Sequence, residues 1–430
     1  MHVVGAGLAG LACAVRLATE GREVCLYEAT GAAGGRCRSW FEAALGRTID
    51  NGNHLLLSAN EATLGYLGTI GSRDSLVGPD GAVFPFVDLT TGARWTVRPN
   101  DGPLPWWIFS ATRRVPGTRA RDYLAAWRLA AAGATATVAD RLDPAGPLWN
   151  PFWRPLTTAV LNTAPEEASA RLLWSAFGRS FARGGAGCRP LVVRESLSAS
   201  FVEPALGFLR HHGATMRFRE RVRELSFSDG RVDRLAGADG RVALDRDDWL
   251  VLAVPPAIAA GLVPGLPTPR ESRAIVNAHF RLGAPPARHD GAPFLGVIGG
   301  TAEWLFFRDD LVSVTVSAAD ALAEWAVEEI AAVLWTDVAR ALELDVTARP
   351  PVRVIKERRA TFAQTPEALA HRPPTRTPYG NLLLAGDWTA TGLPATIEGA
   401  VRSGRAAARA IGAARKTIRH AVFTRRASVR

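Results

Sequence analysis

The sequence predicts an α/β fold in which both ends of the chain contribute to one parallel sheet. Near the start, the spacing Gly5-x-Gly7-x-x-Gly10 joins a short apolar strand to a helical pattern. Near the end, an apolar run leads into Gly386 and Asp387, as a buried parallel strand does at its carboxyl end. Ligands of open α/β sheets bind at that edge. The two motifs together predict one dinucleotide site formed by both ends of the chain.

The first elements have the pattern of a β-α-β unit. A short strand ends at Val4, helical periodicity extends over residues 8–20, and a second strand covers residues 23–27. Glu28 follows that strand and lies 18 residues beyond Gly10, close to the spacing of about 20 expected for a ribose-binding carboxylate. We therefore expect this unit to hold the adenosine half of the dinucleotide.

The residues after Glu28 indicate which dinucleotide binds, because a nicotinamide cofactor would use the three glycines equally well. Gly34, Gly35 and Arg36 suit a chain that passes close to the cofactor and neutralises phosphate. A polar cluster, residues 50–54, comes next. At the other end, Thr396 starts a predicted helix of small residues whose free N–H groups favour anions. Nicotinamide enzymes have little need of these additions, so the sequence favours FAD.

The segments between these motifs predict an inserted α+β domain. Residues 217–245 alternate around Asp229-Gly230 and Asp239-Gly240, which are hairpin signals. Residues 103–181 have helical patterning and six tryptophans: Trp106, Trp107, Trp127, Trp149, Trp153 and Trp174. We expect a discontinuous Rossmann-like FAD-binding domain (residues 1–60, 190–262 and 378–415), an inserted substrate domain (61–189 and 263–377) and a basic tail (416–430).

Composition and charge limit the function classes. The chain is 47% hydrophobic and 21% charged, and it has no apolar run long enough to span a bilayer. Its four cysteines lack metal-ligand spacing, so we expect no metal site. Six of the ten net positive charges lie in residues 415–430, so a folded nucleic-acid-binding face is not expected. Glycines interrupt the apolar start, which predicts no secretory signal and a cytoplasmic location.

The motifs together resemble the squalene-associated FAD-dependent desaturases, a branch of the amine oxidase and phytoene desaturase superfamily. The resemblance covers nearly the whole chain, and its more specific parts are residues 155–163, 251–256 and 356–362. Two positions depart from the family pattern. Asn53 stands where the family usually has glutamine, and Phe307 where it more often has aspartate. Both departures concern substrate specificity, not the flavin motifs.

The resemblance also implies where the cofactor binds. The adenosine half would lie on the glycine fingerprint and Glu28, with the backbone of Val222 beside adenine. Arg36 would face the phosphates, Asp387 the pyrophosphate–ribityl part, and the Ile397 N–H the O2 side of the flavin ring, where a helix N-terminus stabilises anionic reduced flavin. The expected cofactor-binding residues are Gly5, Gly7, Leu8, Ala9, Gly10, Glu28, Gly34, Gly35, Arg36, Val222, Gly386, Asp387, Thr396 and Ile397.

The chemistry that the resemblance implies is reductive dehydroxylation of hydroxysqualene, a C30 isoprenoid, to squalene in hopanoid and squalene biosynthesis. A hydride from N5 of reduced FAD would replace the hydroxyl. Hydroxide is a poor leaving group, so the site needs a proton donor, and aromatic faces would stabilise the developing allylic cation. His54 is the candidate catalytic residue and Asp50 its candidate orienting partner. The alternatives are a carotenoid (phytoene)-type desaturase, an amine oxidase, and an FAD-binding scaffold without turnover.

A C30 substrate resides in the membrane, so the implied function also predicts partners. We expect peripheral contact with the inner face of the cell membrane through an apolar rim near the substrate entrance, aided by the basic tail. Contact with upstream enzymes of the squalene pathway is a further expectation.

Overall fold

The structure is a computed structural model that describes residues 1–102 and 104–427, with side chains described as far as residue 413. Over these residues the strands are, in chain order, β1 (His2–Val4), β2 (Cys25–Glu28), β3 (Ser39–Glu42), β4 (Arg47–Asp50), β5 (Leu56–Leu57), β6 (Leu76–Val77), β7 (Phe84–Asp88), β8 (Arg94–Val97), β9 (Pro190–Val193), β10 (Thr215–Phe218), β11 (Glu224–Ser228), β12 (Arg231–Gly237), β13 (Gly240–Ala243), β14 (Leu250–Leu252), β15 (Ser272–Arg281), β16 (Phe294–Ile298), β17 (Trp304–Arg308), β18 (Leu311–Val316), β19 (Val352–Phe362) and β20 (Leu382–Leu384). The α-helices of the same described ranges are α1 (Leu8–Thr19), α2 (Glu61–Thr69), α3 (Ala120–Tyr123), α4 (Ala126–Ala130), α5 (Arg154–Leu161), α6 (Ala170–Phe177), α7 (Gly185–Cys188), α8 (Glu203–His211), α9 (Pro256–Leu262), α10 (Val327–Leu342), α11 (Pro366–Ala370) and α12 (Ile397–Ala427).

A five-stranded parallel sheet joins the two ends of the chain, in the order β10-β2-β1-β14-β20. Leu252 of β14 lies opposite Val4 of β1 on one side and Leu384 of β20 on the other. The predicted α/β fold built from both termini is therefore confirmed. The second strand begins at Cys25 instead of residue 23, because β1 is short and its pairing starts where the Cys25 N–H donates to the Met1 carbonyl.

Alternation along these strands explains how both faces of the sheet are covered. Val3 points into a core formed with α1, α2, α8 and α12, whereas Val4 points into a core formed with α9 and the hairpins β11–β13. Buried parallel strands read as continuous apolar runs for this reason. The first hairpin turns at Asp229-Gly230 as predicted, whereas the second turns at Ala238-Asp239, one residue earlier than predicted, because Gly240 already pairs with Gly237.

A second, seven-stranded sheet has the order β19-β15-β18-β17-β16-β7-β8. Helix α10 covers one face, where Leu305 and Phe307 of β17 pack. Trp304 and Phe306 alternate to the opposite face and pack against the predicted helical layer, which contains α3 to α6. Period-two alternation therefore sends Phe307 away from the face that carries the aromatic residues.

The strands of the two large sheets support the predicted division into two domains, whose boundaries stay a prediction. The parallel sheet draws its strands from residues 2–28, 215–252 and 382–384, and the mixed sheet from 84–97 and 272–362. Helix α12 extends to Ala427, so most of the predicted basic tail continues a helix. The side chains of that tail, and residues 428–430 altogether, lie outside the described residues.

Candidate functional site

The glycine fingerprint forms a tight strand-to-helix turn. Gly5 has φ of +104°, and a Cβ there would lie 2.3 Å from the Ala253 carbonyl oxygen. A Cβ at Gly10 would lie 1.9 Å from the Gly5 carbonyl oxygen, so α1 rests directly on the turn. A Cβ at Gly7 would meet nothing within 4 Å, and no side chain caps α1. The N–H groups of its first turn, including those of Leu8 and Ala9, therefore face open space that suits a phosphate.

Glu28 lies beside this turn at the end of β2. Its carboxylate accepts hydrogen bonds from the Ala6 N–H at 2.9 Å and from the Thr30 N–H and hydroxyl, both at 2.9 Å. The Glu220 N–H donates to the Glu28 carbonyl at 2.9 Å, which brings the segment that leads to buried Val222 to the same strand end. These contacts fit a carboxylate held in place for a ribose.

The second glycine motif runs along the first. The Gly34 N–H donates to the Ala6 carbonyl at 2.8 Å, and a Cβ at Gly35 would lie 3.3 Å from the Gly7 Cα. Arg36 follows and donates from one nitrogen to both carboxylate oxygens of Asp387, at 2.9 and 2.8 Å. The motifs at the two ends of the chain therefore meet at this ion pair.

The Arg36–Asp387 pair sets the charge state of this junction. The Asp387 carboxylate raises the pKa of Arg36 further above its ordinary value, so the guanidinium is charged. A second nitrogen of Arg36 donates to the Ala360 carbonyl. The guanidinium is thus turned to protein partners here, and its predicted contact with the cofactor phosphates stays a prediction.

The loop after β20 is held by a buried arginine that sequence reasoning missed. Arg372 donates to the carbonyls of Asp387 at 2.9 Å, Thr389 at 3.0 Å and Leu393 at 2.8 Å, and to the Thr391 hydroxyl at 3.0 Å. Burial lowers its pKa to about 10, which leaves it charged at neutral pH. Arg372 therefore fixes the course of the loop that presents Asp387.

The same end of the sheet meets the start of α12. The Gly386 N–H donates to the Ser403 hydroxyl at 2.8 Å, which ties the loop to the helix. The Thr396 hydroxyl accepts from the Gly399 N–H at 3.2 Å, so Thr396 caps the helix and Ile397 is its first residue. The sequence predicted Thr396 as the first helical residue, one residue early. Threonine is a preferred N-cap residue, and an N-cap precedes the first residue of the helix. The first-turn N–H of Ile397 lies at the terminus where an anion would bind.

Asp50 makes its hydrogen bonds to residues other than His54, and its predicted role in orienting His54 stays a prediction. One oxygen of Asp50 accepts from the Ser39 hydroxyl at 2.6 Å and the Leu197 N–H at 2.9 Å, and the other pairs with Arg308 at 2.8 Å. These partners come from distant parts of the chain, which local spacing could not reveal. His54 instead has its Nε2 atom 3.9 Å from the Cys37 sulfur. Burial lowers the pKa of His54 to about 4, against a smaller raising effect of Asp50, so the ring is neutral at pH 7.

A cavity of about 30 Å³ lies among these side chains, and it is large enough for one water molecule. Asn53, His54 and Ser313 are among its lining residues. The Ser313 hydroxyl lies 2.7 Å from Nδ1 of His279, and burial lowers the pKa of His279 to about 4. Asn53 donates to the Thr315 hydroxyl at 3.0 Å. Both departures from the family pattern, Asn53 and Phe307, line this cavity, although Phe307 also packs in the core that α10 covers.

Ser313 and Thr315 lie on one face of the seven-stranded sheet, and the remaining part of that face is aromatic. Phe86 packs edge-on against Trp304 at 5.6 Å and stacks on Trp95 at 5.7 Å, and Phe294 lies 6.2 Å from Trp304. We call these four residues the aromatic cluster. The indole nitrogens of Trp95 and Trp304 are buried and, within the described residues, have no hydrogen-bond partner. An apolar surface with unpaired donors lies here beside the polar side chains of Asn53, Ser313 and Thr315, which we call the polar row. Such a surface suits a hydrocarbon substrate that carries a polar group.

Comparisons with known proteins agree with this geometry. The family model described as flavin containing amine oxidoreductase matches residues 8–412, so the chain belongs to that family. It is an FAD-dependent oxidoreductase, which confirms the predicted cofactor. A putrescine oxidase (TM-score 0.70, 18% identity, 96% of this chain and 98% of that one) and the cyclohexylamine oxidase from Brevibacterium oxydans (TM-score 0.70, 19% identity, 96% and 99%) share its fold.

The branch predicted within the superfamily is also confirmed. Hydroxysqualene dehydroxylases of Sinorhizobium fredii and Zymomonas mobilis are 48% and 40% identical to the chain, each over 95% of this chain and 97% of the relative. A probable zeta-carotene desaturase of Synechococcus elongatus is 25% identical over 95% of this chain and 98% of its own length. The carotenoid enzymes are therefore more distant relatives.

Proposed function

We propose that this enzyme catalyses the FAD-dependent reductive dehydroxylation of hydroxysqualene to squalene. The observation that carries the proposal is the 48% identity, over 95% of the chain, to a relative named hydroxysqualene dehydroxylase. The site supports it, because the aromatic cluster adjoins a polar row on one sheet face, as a long hydrocarbon with a single hydroxyl requires.

The residues of this chain divide the work between cofactor and substrate. Bound reduced FAD supplies the hydride. The first turn of α1 would hold its phosphates and Glu28 its ribose, while Arg372 fixes the loop that carries Asp387. The aromatic cluster excludes water, and its ring faces stabilise positive charge as it develops on the allylic carbon.

A single-turnover experiment tests the proposed function. The purified yellow protein is reduced without oxygen and then mixed with hydroxysqualene, with flavin absorbance followed and products identified by mass. We expect reoxidation of the flavin together with formation of squalene. Reduction of the oxidised flavin by phytoene, or by an amine, would favour the other oxidoreductases of the superfamily. A flavin that no terpenoid can reoxidise would favour a scaffold.

We also propose that the enzyme binds an anionic membrane surface through residues 104–128, the rim segment. Within the described residues, no helix is long and apolar enough to cross a membrane. The rim segment contains five arginines and one acidic residue, Asp122, and Arg113 lies 4.8 Å from the Trp106 ring centre. Its exposed large apolar side chains, 52% to 76% accessible, are Leu104, Trp106, Phe109, Leu124 and Trp127.

The buried side of the rim segment supports this role. Trp107 and Tyr123 point inward and pack in the same core as Phe86 and Phe294. The exposed aromatic residues therefore lie on the outer side of the layer that covers the aromatic cluster. Exposed tryptophans with arginines are typical of surfaces that bind the membrane interface. A substrate that leaves the bilayer there would enter the apolar core directly.

Vesicle flotation tests the membrane proposal. We expect the protein to float with phosphatidylglycerol-containing vesicles and to bind pure phosphatidylcholine more weakly. Replacing Trp106 and Trp127 with serine should abolish flotation, whereas Phe41→Ser, which removes an equally exposed aromatic residue elsewhere, should not. Flotation that survives the double replacement would contradict the rim segment as the contact. Full activity without any vesicle binding would instead favour delivery by an upstream enzyme of the squalene pathway.

A further inference from the structure

The end of the seven-stranded sheet holds a carboxyl group that no sequence motif indicated. Glu303 immediately precedes β17, and its Oε2 atom accepts a hydrogen bond from the Ser317 N–H, beyond the end of β18, at 2.7 Å. Thr158 of α5 also lies against the carboxyl group. Glu303 sits between a sheet and a helix, and its carboxyl group is buried there although the residue as a whole is partly exposed. The carboxyl group therefore lies at the edge of the packed core, with Ser317 and Thr158 as its hydrogen-bonding neighbours.

Glu303 lies at the border between the polar row and the aromatic cluster on the seven-stranded sheet. Its neighbour Trp304 belongs to the aromatic cluster, and Trp304 lies opposite Thr315 of β18. Thr315 accepts from Asn53, next to His54. Glu303 is thus next in sequence to Trp304, the residue that pairs with Thr315 where the sheet contacts the polar cluster of residues 50–54. A substrate that lies along the aromatic cluster would present its polar group at this border.

An unsatisfied donor marks the same place. The indole N–H of Trp304 is buried and, among the described side chains, has no hydrogen-bond partner. Buried polar groups in native proteins are nearly always hydrogen-bonded, so an orphan needs an explanation. An indole N–H can only donate, and a hydroxyl oxygen is a suitable acceptor. A substrate hydroxyl at this border would supply the missing partner.

The protonation states favour Glu303 over His54 as an acid. Burial raises the pKa of Glu303 to about 7, against the smaller lowering effects of Ser317 and Thr158, and no charged side chain contributes. Neither of these two neighbours titrates near neutral pH. A general acid is most effective when its pKa lies close to the working pH. Glu303 therefore carries a proton near pH 7, whereas neutral His54 has no imidazolium proton to give.

We infer that Glu303 and the Trp304 indole form the subsite for the substrate hydroxyl, and that Glu303 protonates that hydroxyl as it leaves. The inference rests on the proposed function and names its proton donor. In this step the allylic C–O bond breaks, and its electron pair stays on oxygen. The carboxyl O–H bond of Glu303 also breaks, and its proton forms the second O–H bond of a water molecule. The hydride from the reduced flavin brings the electron pair of the new C–H bond, and Glu303 remains as a carboxylate.

Glu303→Gln is the central test, because glutamine keeps an oxygen for the Ser317 N–H but has no acidic proton. We expect kcat for hydroxysqualene to fall by about 10²- to 10⁴-fold with little change in KM. Wild-type kcat should fall as the pH rises through about 7, since the acid loses its proton there. That limb of the pH profile should be absent from Glu303→Gln and shifted in Glu303→Asp.

Asp337→Asn is the matched control. Asp337 is a buried carboxylate on α10 that accepts from the N–H groups of Thr301 and Ala302, just before Glu303, but on the opposite face of the sheet. Its replacement should lower stability and leave the pH limb of kcat in place. His54→Ala should also keep that limb. Trp304→Phe, which removes the indole N–H, should raise KM while the limb remains.

Infrared difference spectroscopy gives a readout that does not depend on turnover. A protonated-carboxyl band that titrates near pH 7 in the wild type should be absent from Glu303→Gln, with both proteins carrying equal amounts of flavin. A Glu303→Gln enzyme with wild-type kcat and pH profile would overturn the inference alone. A wild-type enzyme that fails to convert hydroxysqualene would overturn the proposed function, and with it this role for Glu303.

Discussion

Replacing Gly404 with alanine is expected to abolish FAD retention and to destabilise the protein by about 3 kcal/mol or more, at the upper end of overpacking effects. A Cβ at this position in α12 would lie 2.0 Å from the Ala9 carbonyl oxygen and 2.9 Å from the Cys13 nitrogen. Both atoms belong to the backbone of α1, which cannot rotate away as a side chain could. The two helices must separate, and α1 carries the first turn of the phosphate site.

Gly412→Ala is the control for Gly404→Ala on the same helix. A Cβ at Gly412 would have its nearest neighbour, Glu20, at 4.0 Å, which is ordinary contact. Alanine in a helix is more favourable than glycine by about 0.5–1 kcal/mol, so this variant should be neutral or more stable. Urea unfolding and flavin content after gel filtration measure both effects. Equal stability and equal flavin content in the two variants would contradict close packing of α1 against α12.

Local sequence patterns predicted those turns and strand ends that are determined by residues adjacent in the sequence. The glycine fingerprint specifies a strand-to-helix turn because Gly5 and Gly10 permit close backbone contacts in that turn, while Gly7 leaves the space in front of α1 open. The hairpin at Asp229-Gly230 was predictable because that residue pair favours the required backbone conformation, and the second hairpin was predicted within one residue of its turn. The Gly386-Asp387 strand end was predictable because burial on both faces demands an apolar run. The predictions of the fold class and of FAD as the cofactor rested on these features.

Side-chain pairs between distant segments were not predictable in the same way. Asp50 stands four residues before His54, which suggested a pair, but Arg308 lies 258 residues away in sequence and binds it instead. Arg36 and Asp387 were assigned separately to the cofactor, although 351 residues of sequence separate two side chains that touch each other. Glu303 had no signal at all, because its raised pKa comes from burial between a sheet and a helix. Only the tertiary structure brings such partners together.

Arg372 also had no signal, because a buried arginine that binds backbone carbonyls leaves no pattern in the sequence. Its replacement is expected to have a large effect on stability and FAD binding. Arg372→Met keeps the apolar stem but leaves the carbonyls of Asp387 and Leu393, among others, without their donor. Each buried polar group left unpaired costs about 1–3 kcal/mol, so we expect a total loss of several kcal/mol. The loop that carries Asp387 should lose its fixed course. We therefore expect apo-protein after purification and a strongly lowered melting temperature.

A graded series separates loss of this hydrogen-bonded anchor from loss of charge. Arg372→Lys keeps the charge, but a compact ammonium cannot span acceptors distributed along the whole loop, so its stability and FAD affinity should fall between those of wild type and Arg372→Met. The control is Arg376→Met on the same segment, where the guanidinium makes one exposed contact with the Ala410 carbonyl. That variant should retain its flavin. If Arg372→Lys binds FAD as tightly as the wild type, positive charge near Asp387 is sufficient. If Arg372→Met also retains FAD, the loop is held by the Gly386–Ser403 bond and the packing of Trp388 instead.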